Sequence, residues 1–167
     1  AGVPDIRGVY LPPPAQRFMI VVAIKQRYPG HAKQAALVAC QCHAGAYLGR
    51  YVVVVDEDID ITDLNEVVWA IATRSDPATS VDILRRAWSG PLDPIIPPGQ
   101  KGHNSRMIIE ATRPYEWRDR FPGGPASARS DPSLAACDAS TRRSWNRRST
   151  DARAHQRSLS QGPDAGP

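Results

Sequence analysis

The chain has 167 residues, a mass of 18.2 kDa and a hydrophobic fraction of 41%, enough for one domain with a single core and short for a two-domain enzyme. No apolar run approaches the ~20 residues of a membrane span, and Ala1-Gly2-Val3-Pro4 has neither the basic nor the apolar region of a secretory signal, so membrane and secretory readings are set aside and a cytoplasmic setting is expected. The net charge of +4 is uneven: residues 1–122 carry 14 Lys and Arg against 13 Asp and Glu, whereas 123–167 carry seven Arg, no Lys and four Asp. The first methionine is Met19, and the chain reads as a piece of a longer protein.

Phe18 to Ile24 is a β-branched apolar run of strand length, too continuous for a sheet with one wet face, and predicts a strand buried on both faces. Tyr28-Pro29-Gly30 ends it, and the Ala-rich stretch from His31 to about Gln41 or Cys42 has helix-forming composition. Tyr51 to Val55 is the clearest strand, ended by Asp56-Glu57-Asp58-Ile59-Asp60. Asp63 with Glu66 three residues on resembles a capping box, and Leu64, Val67, Val68 and Ile71 fall at amphipathic spacing, which predicts a helix over 63–73. Asp76-Pro77 ends that helix, and Val81 to Leu84 reads as a third strand. A proline-rich segment follows, Gly90 to Pro94 and Pro97 to Gly99, and Met107 to Ile109 reads as one more short strand before Arg113 to Trp117 turns the chain outward. The alternation predicts an α/β fold, a mainly parallel sheet with helices on its faces.

After residue 122 the patterning stops. The only large apolar side chains there are Leu134, Trp145 and Leu159, so 123–167 is expected to be a disordered tail. Arg142, Arg143, Arg147 and Arg148 around Trp145 would suit nucleic acid, but a reading frame shifted within a GC-rich coding sequence accounts better for Arg, Ala, Ser, Pro and Gly without lysine.

Chemistry-bearing candidates are few. The acidic run at 56–60 could hold Mg²⁺ at a strand end, although caps for the next helix and solvated carboxylates explain it as well. Cys40-Gln41-Cys42-His43 suggests zinc, but a second ligand pair is missing and an odd cysteine count of three gives no disulfide framework, so packing cysteines are expected. Gly45, Ala46 and Gly49 after His43 leave room for a ligand or for another backbone. Lys25, Arg27, His31 and Lys33 surround a strand-to-helix turn where phosphate or carboxylate would bind, unless they are simply solvated. Gly99-Gln100-Lys101-Gly102-His103 resembles a phosphate loop only loosely and lacks its spacing.

Lys25-Gln26-Arg27-Tyr28-Pro29-Gly30-His31-Ala32-Lys33, Arg50 to Asp60, Glu66 to Pro77, Pro91-Leu92-Asp93-Pro94 and Arg113 to Pro122, in that order, resemble the C-terminal domain of the UbiD-family carboxy-lyases over 1–122. The resemblance implies decarboxylation of aromatic or α,β-unsaturated carboxylic acids, of the 4-hydroxybenzoate type, with prenylated FMN, Mn²⁺ and K⁺. It also implies that the Glu-Arg-Glu catalytic network and the metal ligands lie in an upstream domain, so that no catalytic residue and no metal ligand is expected here and the chain alone is expected to be inactive. By motif position His43, and more weakly Lys25, would bind the cofactor, with Arg27 a further candidate for cofactor or interdomain contact. Gly90 and Leu92 would line the substrate pocket, glycine at 90 leaving room for a bulkier acid. A homo-oligomer is implied, with Trp117 and Phe121 as candidate contacts, and the exposed apolar surface predicts self-association. The competing readings are a non-catalytic oligomerisation or scaffold module and an Arg-tail nucleic-acid binder.

Overall fold

The computed structural model describes residues 2–120, which lie within a compact unit, Ala1–Ala126. The tail expectations, with Phe121, Cys137 and the arginines around Trp145, fall outside the described residues, as does the side chain of Trp117. The order is β1 (Ile6–Tyr10), β2 (Met19–Ile24), α1 (His31–Gln41), α2 (His43–Ala46), β3 (Tyr51–Asp56), α3 (Leu64–Arg74), β4 (Val81–Trp88) and β5 (His103–Ala111), with 3₁₀ turns at Pro13–Ala15, Pro98–Gln100 and Tyr115–Arg120.

The five strands form one sheet in the order β1-β2-β3-β5-β4. It is mixed rather than mainly parallel: β2·β3 and β3·β5 are parallel, β1·β2 and β4·β5 antiparallel. The reason lies in the chain after α3. Val81 was expected to start a parallel neighbour of β3, but β4 takes the outer edge and returns through residues 89–102 as an antiparallel pair, which puts β5 beside β3. β1, short and set between Pro4 and Pro12, adds the other antiparallel edge.

β2 and β3 are buried on both faces, as their unbroken apolar runs require. Ile20, Val22, Ile24, Val52, Val54 and Ile108 pack under Ala32, Ala35, Ala36 and Cys40 of α1. Val21, Ala23, Val53, Val55 and Ala111 pack under Val67 and Ala70 of α3. The small alanines let both helices sit close to the sheet. α3 buries Val67, Ala70 and Arg74 but leaves Val68 60% exposed, because the inward face is centred on the smaller residues rather than on the Leu64–Val68 stripe. Asp63 caps α3 by accepting from the Asn65 amide, whereas Glu66 reaches past it to accept from the Asp60 amide at 3.0 Å.

Candidate functional site

At the carboxyl ends of the parallel strands, where open α/β sheets usually bind ligands, the charges satisfy one another. Asp56 is buried and accepts from Gln26 Nε2 at 2.8 Å, Arg74 Nη1 at 3.1 Å and the Arg113 amide at 2.6 Å. Asp58 takes a two-pronged contact from Arg74 at 2.9 and 2.8 Å. Asp56 and Asp58 of the acidic run lock α3 to β3, Asp60 caps the Thr62 amide, and Glu57 and Asp60 stay exposed, as the expectation of caps and solvated carboxylates has it. Lys25 lies 3.9 Å from Glu57, Arg27 pairs with Asp5, and Lys33 bridges Asp82 and Glu110. Burial lowers the Lys33 pKa, but those two carboxylates outweigh it and hold the ammonium above its ordinary value. His31 is buried, its Nδ1 accepting from the Arg27 amide at 3.3 Å and its Nε2 3.1 Å from the Pro4 carbonyl. The cations of this turn are therefore paired rather than free for an anion. Arg113 to Arg120 folds back over the same end instead of turning outward, Tyr115 Oη donating to the Arg27 carbonyl at 2.7 Å.

The amino ends present the opposite arrangement, braced beneath and apolar outside. Arg106 of β5 is 1% exposed, and its guanidinium donates to the carbonyls of Cys40 at 2.8 Å, Gly45 at 3.1 Å and Gly49 at 2.8 Å, and to those of Ala46 and Trp88. One side chain thus gathers the end of α1, all of α2 and the end of β4. Gly45 and Gly49 are required because a Cβ at either would strike backbone, that of Ala39 or of Gly45. The room these small residues leave is taken by the chain itself. Burial pushes the Cys40 thiol up, against the nearby Arg106, while Cys42 is exposed, so the two sulfurs do not share a site.

On this base His43 starts α2 and stacks near Trp88, ring centroids 6.3 Å apart and 28° inclined, and Tyr47, four residues on, lies 6.2 Å from Trp88 at 57°. The Gly90 amide donates to the Tyr47 carbonyl at 2.6 Å. A Cβ at Gly90 would lie 2.8 Å from that oxygen and 2.9 Å from the Tyr47 ring, so the space that glycine frees is filled by Tyr47. Asp93, fully buried, pairs with Arg50 and accepts from Asn104 Nδ2 and the Ile95 amide. That anchor holds the Pro91–Ile96 loop so that Leu92 stands out, 69% exposed; Trp88, four residues earlier in the chain, is 51% exposed. Rigid backbone bearing exposed apolar and aromatic groups is what one wall of a ligand pocket needs.

Of the four residues singled out from the sequence, His43, Gly90 and Leu92 fall at this end. Lys25 follows the carboxyl end of β2, about 17 Å away along the strands. Tyr47, Trp88, Asp93 and Arg106 were not singled out. The Pro91-Leu92-Asp93-Pro94 motif held the signal for Asp93, since an aspartate in a turn accepts from the amide two residues on, here that of Ile95.

The model of the 3-octaprenyl-4-hydroxybenzoate carboxy-lyase C-terminal domain matches residues 1–111. An uncharacterized protein of Aeropyrum pernix is 37% identical over 112 residues, 66% of this chain and 22% of that protein. The UbiD-class enzyme HmfF of Pelotomaculum thermopropionicum, solved with FMN, is 34% identical with a TM-score of 0.64, covering 72% of this chain and 26% of the enzyme. An evolved dimeric form of HmfF solved with prenylated FMN gives 29% and 0.53, over 72% and 26%. The 3,4-dihydroxybenzoic acid decarboxylase of Enterobacter cloacae gives 26% and 0.64, over 73% and 26%. The chain therefore spans about a quarter of the length of these relatives. A flavin fits these residues only in part: the His43–Trp88–Leu92 face suits one side of a flat ligand, but Lys25 and His43 stand too far apart to hold a single phosphate. The match of that domain model over residues 1–111, two thirds of the chain, shows that this chain belongs to the UbiD carboxy-lyase family, through its C-terminal domain.

Proposed function

We propose that this chain is the C-terminal part of a cytoplasmic carboxy-lyase that removes or adds carbon dioxide on an aromatic or α,β-unsaturated acid, and that it supplies one wall of the pocket. The observation that carries the proposal is the exposed His43–Trp88–Leu92 face on a base fixed by Arg106 and Asp93, in a domain of this family. Prenylated FMN, held with Mn²⁺ and K⁺ by the upstream domain, would supply the electron sink for decarboxylation. Leu92 and Trp88 would exclude water from the aryl group, and His43 would place a positive charge toward the cofactor phosphate when protonated. Gly90 would shape this wall through Tyr47. Lys25 and Arg27 are assigned to interdomain contact. The groove between β1 and α1, about 360 Å³ and lined by Val3, Ile6, Val9, Leu11 and Val38, would be covered by the rest of the polypeptide or a second copy in the homo-oligomer.

The test compares this chain with one extended upstream through the central domain, each produced together with the cofactor-making prenyltransferase. Flavin absorbance, intact mass and carbon dioxide released from 4-hydroxybenzoate and 3,4-dihydroxybenzoate are recorded. Cofactor and turnover in the extended protein alone are expected. Flavin in neither protein would overturn the lyase reading in favour of a scaffold role.

A further inference from the structure

A cavity of about 260 Å³ opens between the start of α1 and the segment that follows β5, with Gly30, Ala32, Thr112, Pro114 and Tyr115 among its walls. The sequence around this strand-to-helix turn points to an anion held by cations, but the cations are spent. Lys33 pairs with Asp82 and Glu110, and the two arginines of the wall, Arg74 and Arg113, face Asp56 and Asp58. Glu116, also in the wall, has no basic partner among the described residues. What remains for a ligand is a set of neutral donors.

Two elements supply them. The first is the start of α1, an 11-residue helix whose N-cap is Gly30, without a side chain to cap it, and whose first turn has no acidic residue. The His31 amide donates to the Tyr28 carbonyl at 3.2 Å, and the next bond is made by the Gln34 amide to the Gly30 carbonyl at 3.0 Å. The amides of Ala32 and Lys33 between them have no acceptor among the described residues. The second is Thr112, just past β5. Ile108 packs under α1 and Glu110 pairs with Lys33 of α1, so alternation along the strand carries Thr112 to the same face, where it joins Gly30 and Ala32 in the cavity wall. Thr112 is 9% exposed, and its hydroxyl has no hydrogen-bond partner among the described residues. That hydroxyl is not one of the polar atoms sealed from solvent, so an occupant of the cavity can reach it. An unpartnered hydroxyl on a buried residue, set beside free helix amides, calls for an acceptor from outside.

We propose that this cavity binds a small monocarboxylate, its oxygens accepting from the Ala32 amide and the Thr112 hydroxyl and its apolar body lying against Pro29, Pro114 and Tyr115. The positive end of the α1 dipole favours one negative charge there, while Glu110 and Glu116 disfavour a second. The occupant joins the start of α1 to the Thr112–Tyr115 segment. It does so at the carboxyl end of β5, whereas Trp88 pairs with His103 at the other end of that strand, so this site is separate from the aromatic wall.

Benzoate, benzyl alcohol and sulfate separate the requirements. Each is titrated into the full 167-residue chain, with binding followed by backbone amide NMR shifts. Benzoate is expected to saturate, with a downfield proton shift of the Ala32 amide. Benzyl alcohol, which keeps the ring without the charge, and sulfate, which carries two charges, are each expected to bind about tenfold more weakly. Thr112→Val keeps the shape of the side chain and removes only a hydroxyl that holds nothing, so its melting temperature should match the parent's while benzoate binds about tenfold more weakly. Benzyl alcohol or sulfate binding as tightly as benzoate overturns the monocarboxylate. Undiminished benzoate binding in Thr112→Val, no saturable shift at Ala32, or shifts confined to residues around Trp88 overturn the site.

Discussion

Replacing Arg106 by methionine removes a guanidinium that donates to five main-chain carbonyls while leaving a side chain of similar length and apolar volume. A bond to a charged donor is worth about 1.5–3 kcal/mol net, at the low end here because three carbonyls share the two Nη1 protons, and the Gly45 carbonyl would keep the Gly49 amide as a second donor. Release of a buried charge returns part of the loss, so the balance is about 3 kcal/mol of destabilisation. That is a large share of the roughly 5–15 kcal/mol a domain possesses, and it corresponds to a fall in melting temperature of roughly 10 °C. Lysine at 106 keeps the charge but lacks the planar fork, and should fall between the two. The measurement is thermal and urea unfolding of the full chain by circular dichroism, with Trp88 and the other tryptophans followed by fluorescence. If Arg106→Met melts within about 2 °C of the parent, the side chain is not the clamp between α1, α2 and β4 that its geometry indicates.

Asp93→Ala strips Arg50 and Asn104 of a fully buried partner and is expected to cost about 3 kcal/mol, read by urea unfolding, whereas an unchanged midpoint would show the loop held by something else. Gly90→Ala drives a methyl group into the Tyr47 carbonyl and ring and should cost about 1–3 kcal/mol with altered near-ultraviolet dichroism. Lys33 gives a pH signature. Its folded pKa is raised above the ordinary 10.5, so its contribution is fully present below 10.5 and disappears as pH climbs through the higher folded value. Alkaline unfolding should therefore lose one step in Lys33→Met, seen as a shallower fall of stability with pH above that value.

The central strands and both long helices were legible because each is written in local pattern. β2 and β3 are apolar at every position, α1 is set by Gly30 and its alanines, and α3 begins at an aspartate cap. What was not legible is set by pairing over distance. The exchange of β4 and β5 depends on a hairpin loop that could as easily have been a crossover, and β1 has too few apolar residues to declare itself. At the site, the sequence offered His43, Gly90 and Leu92 through a family motif, yet Lys25 stood in the same set although the sheet separates it from them. The buried partners Arg106, Asp93 and Arg74 read as surface charge until the fold brings carbonyls or opposite charges to them.

The two ends of the sheet divide their labour by how their charges are used. At the carboxyl ends Asp56, Asp58, Arg74 and Arg113 neutralise one another, tying α3 and the Tyr115–Arg120 turn down and leaving little net field for a ligand. At the amino ends Arg106 and Asp93 are spent inward on main chain and on neighbours, which frees the outer surface to be aromatic and aliphatic. Exposed Trp88 and Leu92 cost hydrophobic free energy that an isolated domain would shed by turning them inward. The buried clamps oppose that collapse, so the face stays presented.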